Sequence, residues 1–160
     1  MQLLASEEYG LRCLLRVASA PDAAPIAISA IARAEGLSPE YTAKLMRELR
    51  LGGLVASVRG AEGGYRLARP AREISVWSAL RVLGGEFFPE RFCACHGGQR
   101  EHCVRASDCS IRALWRTLER ALQATLERIS LEDLRRDERA MRAWLDPITL
   151  LPTETQLEAR

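Results

Sequence analysis

The chain has 160 residues, 48% of them hydrophobic, with 23 Lys and Arg against 21 Asp and Glu for a net charge of +2. That is enough apolar chain for one substantial core, or for a small domain with an appendage. The charge is too small to name a partner by itself. No stretch is long and apolar enough to span a bilayer and no signal-peptide pattern opens the chain, so a cytoplasmic protein is expected.

Ala, Leu, Arg and Glu are abundant and β-branched runs are short, which predicts a mainly α fold. Basic residues lean towards the N-terminal half, where residues 1–72 carry 10 Lys and Arg against 7 Asp and Glu; residues 73–160 carry 13 against 14. Ser6, followed by Glu7 and Glu8, has the form of a helix start, and Leu11, Leu14, Leu15 and Ala18 repeat at helical spacing up to Pro21. A second short helix is predicted after Ser29, with Ile31 and Ala32 inward and Gly36 as its stop. Ser38 then caps a third helix with Pro39 in its first position. Tyr41, Leu45 and Leu49 form the core stripe of that helix, Thr42, Lys44, Arg47 and Arg50 lie largely off it, and Gly52-Gly53 end it.

Two helices joined by a short turn are helix-turn-helix spacing. Leu54–Val58 and Tyr65–Ala68 read as strands joined by the glycine-rich loop Arg59–Gly64, so a β wing follows directly. Ser75 caps a further helix through Val76, Trp77, Leu80, Val82 and Leu83, closed by Gly84-Gly85. Residues 85–109 show no periodicity and read as a loop. Ser110 begins the longest helix, in which Ile111, Leu114, Trp115, Leu118, Leu122, Leu126 and Ile129 keep a spacing of three or four. Such a stripe suits packing on a symmetry mate, because one winged helix reads too few base pairs for selectivity. Ser130–Asp133 has a capping-box form and starts a last helix that ends before Asp146-Pro147; the rest is a loose tail. The expected division is a winged helix-turn-helix domain at 1–84, a cysteine-rich loop at 85–109, a dimerisation helix with a C-terminal helix at 110–145, and a tail at 146–160.

Four of the five cysteines and both histidines fall within Cys93–Cys109. Thiolates at this density in a reducing compartment suit zinc or an iron–sulfur cluster better than disulfides. Cys13, alone in the first helix, reads as a small buried hydrophobe.

The start Met1–Leu4 with Tyr9, the segment Leu37–Tyr41, the wing Arg59–Ala68, Ile74–Val76 and Cys109–Trp115 together resemble the IscR/NsrR/RirA family of bacterial dimeric winged-helix transcription regulators. The resemblance spans roughly residues 1–145. It implies a homodimer on a palindromic element of double-stranded DNA, and an iron–sulfur cluster (2Fe–2S or 4Fe–4S) held by three cysteines. Cys109 and Cys103 match the third and second of these. The first is Cys95, in C-x7-C-x5-C, or Cys93, in C-x9-C-x5-C, with Cys95 closer to the family's spacing. Where some relatives place a histidine after the last cysteine, this chain has Arg112. Other relatives take a carboxylate from the first helix of the partner subunit, and Glu8 matches that position; His96, His102 and Cys93 are the other fourth-ligand candidates. On the DNA side, Ser38, Glu40, Tyr41 and Thr42 are expected at bases or nearby phosphates, Lys44 and Arg47 at phosphates, and Arg59 in the minor groove.

Two readings without an iron–sulfur centre stay open. Zinc could bind Cys93, Cys95, Cys103 and Cys109, although paired C-x-x-C knuckles are lacking, or the thiols could act by oxidation alone. No phosphate-binding glycine loop, nucleophile elbow or metal-hydrolase helix motif is present, so an enzyme is not expected.

Overall fold

The computed structural model describes residues 4–60, 63–89 and 91–146. Met1 to Leu3, the wing-loop residues Ala61 and Glu62, and the tail from Pro147 onward lie outside the described residues. The expected class holds: helices dominate, and one antiparallel pair of strands forms a wing.

Helix α1 (Ala5–Ala18) begins one residue before the expected cap. Ser6 lies inside it, and the Glu7 carboxylate instead accepts the Leu4 N–H at 2.7 Å, satisfying one of the free donors of the first turn. α1 lays Cys13, Leu14 and Val17 into the core. Helix α2 (Ile28–Glu35) is capped at Ala27, so Ser29 is also an internal residue rather than a cap. α2 stops at Gly36, whose φ of 67° is the left-handed conformation glycine adopts at least cost. Helix α3 (Pro39–Leu51) starts as its sequence demands, with the Ser38 Oγ accepting the Tyr41 N–H at 3.2 Å. Arg12 ties the first two helices together: its Nε meets Glu35 at 3.1 Å, another guanidinium nitrogen donates to the Glu35 carbonyl at 2.8 Å, and the group lies over the Tyr9 ring. Tyr9 in turn meets Tyr41 of α3 edge to face at 6.1 Å.

The wing is β1 (Val55–Val58) and β2 (Gly64–Leu67), paired from Val55 opposite Leu67 to Val58 opposite Gly64. Its base is pinned to the segment before α2, because Tyr65 and Ile26 exchange both backbone hydrogen bonds at 2.9 Å. Helix α4 (Val76–Gly84) is capped by Ser75, whose Oγ accepts the Ser78 N–H at 3.1 Å. It crosses α1 where Gly10 leaves room for Leu83; a Cβ at Gly10 would collide with the Leu83 methyls.

Segment 85–109 is not wholly irregular. It contains one helical turn, α5 (Phe92–Cys95). Helix α6 (Ser110–Leu126) follows, three residues shorter than the apolar spacing suggested. After α6 the chain returns to the winged domain: Val76 N–H donates to the Ile129 carbonyl and Leu131 N–H to the Ile74 carbonyl, each at 2.8 Å. Ile129 and Leu131 are buried, and Leu131 joins the core cluster that holds Leu14, Leu45, Leu49 and Ile74. Residues 129–131, expected in one unit with α6, thus pack with the winged domain.

Ser130 and Asp133 do form the reciprocal bonds of a capping box: the Asp133 carboxylate accepts the Ser130 N–H at 2.9 Å, and the Ser130 Oγ accepts the Asp133 N–H at 3.2 Å. Burial raises the Asp133 pKa, but the Ser130 bonds and the Arg136 guanidinium outweigh it and hold the carboxyl below its ordinary value. The box opens only a single 3-10 turn (Asp133–Arg135). The last helix, α7 (Glu138–Leu145), starts later, capped by Asp137. Among the described residues no helix is long and apolar enough to cross a membrane.

Candidate DNA interface and cysteine cavity

Helix α3 and the wing present the candidate DNA surface. Ser38, Glu40, Lys44 and Arg47 are exposed along α3, and Arg59 is exposed at the end of β1. Tyr41 is half-buried against Tyr9. Thr42 must be corrected: it is 0% exposed, and its Oγ1 has no hydrogen-bond partner among the described residues. It therefore faces the core and cannot reach a base or phosphate. The buried face of α3 also includes Met46, making it wider than the stripe of Tyr41, Leu45 and Leu49, because α1, α2 and α4 all pack on it. An orphaned buried hydroxyl carries an uncompensated desolvation cost. Thr42→Val is expected to raise stability in urea melts by about 1 kcal/mol and to leave DNA affinity unchanged. Weaker DNA binding by a fully folded variant would put Thr42 back at the interface.

The second site lies where α5 and the segment following it approach the start of α6. A cavity of about 160 Å³ is lined by Cys93, Cys103, Cys109 and His96, with Phe88, Phe92, Ile111, Trp115, Arg105 and Arg112 around them. Cys95 is exposed and is not among the lining residues. The helical turn explains the difference. Successive residues rotate by about 100°, so Cys93 and His96, three apart, share a face while Cys95 points away from it. Spacing along the chain favours Cys95, whereas the cavity lining contains Cys93.

Cys109 caps α6, its Sγ accepting the Arg112 N–H at 3.4 Å, and the Arg112 guanidinium donates to the Ala106 carbonyl at 3.0 Å. Glu8 is exposed on the first turn of α1, and His102 is exposed outside the cavity lining. Cys13 is set apart from the other thiols. Burial, and secondarily the Glu35 charge, push its pKa up to about 11, so it stays a protonated core residue.

Three sulfurs and one imidazole are a donor set that suits an iron–sulfur cluster, so the chemistry of the cavity fits such a group. Among the described residues, no three of His, Cys, Asp and Glu are drawn together closely enough to hold a single ion. The donors share a cavity, and a bound group would have to draw them in, as metal sites in irregular segments commonly do.

Sequence reasoning names His96 among the fourth-ligand candidates but does not place it beside Cys93, and it misses the aromatic wall. A signal was present: Phe88, Phe92 and His96 recur every four residues, which is helical spacing.

A helix-turn-helix followed by a wing, with exposed cations on both, defines a winged-helix DNA-binding protein. Comparison with known proteins makes the class specific. The model of the Rrf2 family, described as iron-dependent transcriptional regulators, matches residues 4–137. The HTH-type transcriptional regulator IscR of Vibrio atlanticus (strain LGP32) is 33% identical over 137 residues, covering 86% of this chain and 76% of that protein. Protein rrf2 of Nitratidesulfovibrio vulgaris is 34% identical, covering 86% of this chain and 89% of its own. Among solved structures, CymR (YrzC), the global cysteine regulator of B. subtilis, superposes with a TM-score of 0.66 at 29% identity, over 84% of this chain and 95% of that one. T. potens IscR does so with 0.64 at 25% identity, over 98% and 96%. The chain belongs to the Rrf2 family of transcriptional regulators.

Proposed function

We propose that the protein is a homodimeric regulator, not an enzyme, that acts in the cytoplasm on a palindromic promoter element of double-stranded DNA. It senses iron–sulfur status, iron, nitric oxide or redox stress through an iron–sulfur cluster (2Fe–2S or 4Fe–4S). The observation that carries this reading is the convergence of Cys93, Cys103 and Cys109 on one cavity at the start of α6. When bound, a cluster supplies a redox-active centre. The three thiolates would hold it, and the Arg112 guanidinium, which also lines the cavity, would offset part of their negative charge. The resemblance offers Glu8 of the partner subunit as one candidate for the fourth ligand; His96, in the same cavity as the three cysteines, is the other.

The link to DNA runs through α6. Ile111 and Trp115 line the cavity, and with Leu114 and Leu118 they form the exposed apolar stripe of that helix. Drawing the cysteines inward repacks the wall of the stripe on which two chains would meet. A bias of a few kcal/mol between two dimer arrangements changes DNA occupancy by orders of magnitude. A second reading, zinc or thiol oxidation at the same residues, is supported by the donor set and by the likeness to the cysteine regulator CymR. Iron, sulfide and zinc analysis of protein purified without oxygen separates the two.

DNA binding has a direct test. Lys44 is the chain's single lysine, so amine acetylation mapped by mass spectrometry reports on one position of α3. Specific DNA should protect Lys44 from acetylation. Lys44→Ala and Arg47→Ala should each lower the slope of log affinity against log salt by about 1. Arg59→Ala should cost about 1–3 kcal/mol on the preferred sequence. Full acetylation of Lys44 on saturating DNA would remove α3 as the reading helix.

A further inference from the structure

We propose that His96, through its Nε2, is the fourth protein ligand of the cysteine-held group; this rests on the reading of Cys93, Cys103 and Cys109 given above. His96 Nδ1 lies 2.8 Å from the Phe92 carbonyl oxygen. A carbonyl can only accept, so Nδ1 carries a hydrogen and the lone pair of the neutral ring sits on Nε2. An imidazole whose other nitrogen donates to a backbone carbonyl is oriented and tautomer-fixed in the way metal-binding histidines are.

The ring is also held in place by packing. It stacks on Phe92 with centroids 4.1 Å apart and planes 13° from parallel, and Phe92 leans on Phe88 at 5.2 Å. Phe88 itself is buried, and its N–H donates to the Glu119 carboxylate of α6 at 3.2 Å. The aromatic ladder thus fastens the α5 turn to α6, and it brings Cys93 and His96, on one face of that turn, to the cavity that holds Cys103 and Cys109. None of the other candidate fourth donors shares these features. His102 and Cys95 are outside the cavity lining, Glu8 is on another element, and the position three residues after Cys109 is an arginine.

The test is pulsed EPR on the reduced centre of the full chain, purified without oxygen and carrying nitrogen-15 histidine. A strongly coupled histidine nitrogen is expected in the unsubstituted chain and in His102→Ala, and is lost in His96→Ala. In His96→Cys, a fourth thiolate should keep the iron bound, abolish the nitrogen coupling and lower the midpoint potential, since imidazole ligation raises it. That variant keeps the test valid if His96→Ala fails to fold or to load. An iron-loaded chain with no coupled nitrogen, or one that keeps it in His96→Cys, overturns the assignment and leaves the three-thiolate reading standing. So does a spectrum that changes in Glu8→Ala and not in the His96 variants. A chain that takes up no iron and sulfide overturns both.

Discussion

Cys93→Ser is expected to empty the site while Cys95→Ser leaves it loaded. Iron and acid-labile sulfide retained after desalting without oxygen should fall on the order of 100-fold or more in Cys93→Ser, Cys103→Ser and Cys109→Ser, since losing a ligand outweighs the 10–100-fold typical of losing a group behind one. Cys95→Ser should stay near the unsubstituted value. The argument is angular. Both thiols belong to α5 (Phe92–Cys95), but two residues on a helical turn point in nearly opposite directions. Cys93 shares the cavity with Cys103 and Cys109, whereas Cys95 is exposed outside it. For Cys95 to serve instead, α5 would have to unwind and the stacking of His96 on Phe92 would be lost. Folding is not at stake in these variants, because Cys93, Cys103 and Cys109 are all absent from the core cluster. Retention of iron by Cys93→Ser together with its loss from Cys95→Ser would restore the ligand spacing preferred on resemblance and discard the one drawn from geometry.

The same contrast marks what could be read from the sequence. At several local signals the expectation holds. Ser38-Pro39 starts α3, Gly36 takes the left-handed turn, Ser75 starts α4, and the glycine-rich loop lies between two paired strands. Wherever tertiary packing decides, it slips. The stripe of Tyr41, Leu45 and Leu49 alone turns Thr42 outward, yet α3 is packed on by three helices and its buried face takes in Thr42 and Met46 as well. Ser6 and Ser29 look like caps but lie within their helices. Ser130 and Asp133 make their box, but Leu131 is drawn into the core and the next helix waits until Glu138. Near the cysteines, composition revealed the chemistry and not the geometry. Whether position 93 or 95 turns inward depends on one helical turn whose periodicity is carried by Phe88, Phe92 and His96 rather than by aliphatic residues.

Leu114→Glu combined with Leu118→Glu is expected to convert the proposed dimer to a monomer and to weaken binding to a palindromic site by about 10²–10⁴-fold, while a single half-site is bound as before. Helix α6 has no buried residue among its seventeen, and Ile111, Leu114, Trp115 and Leu118 are 51, 53, 38 and 40% exposed. Such an apolar stripe on one face of a long helix calls for a partner surface. In a two-fold interface the same residues meet their own copies. Each substitution then places two carboxylates in one apolar contact, where the desolvation of unpaired charge adds to mutual repulsion. Leu114 and Leu118 are the informative choice because neither lines the cysteine cavity, whereas Ile111 and Trp115 do. The double variant should therefore keep its iron and its winged-helix fold while losing the dimer, which separates assembly from sensing. Sedimentation gives the mass, and titration of full and half sites gives the affinity ratio. A dimeric variant that still binds the palindrome tightly would show that α6 is not where the two copies meet, and the route from the cysteines through Ile111 and Trp115 to the DNA would lose its physical basis.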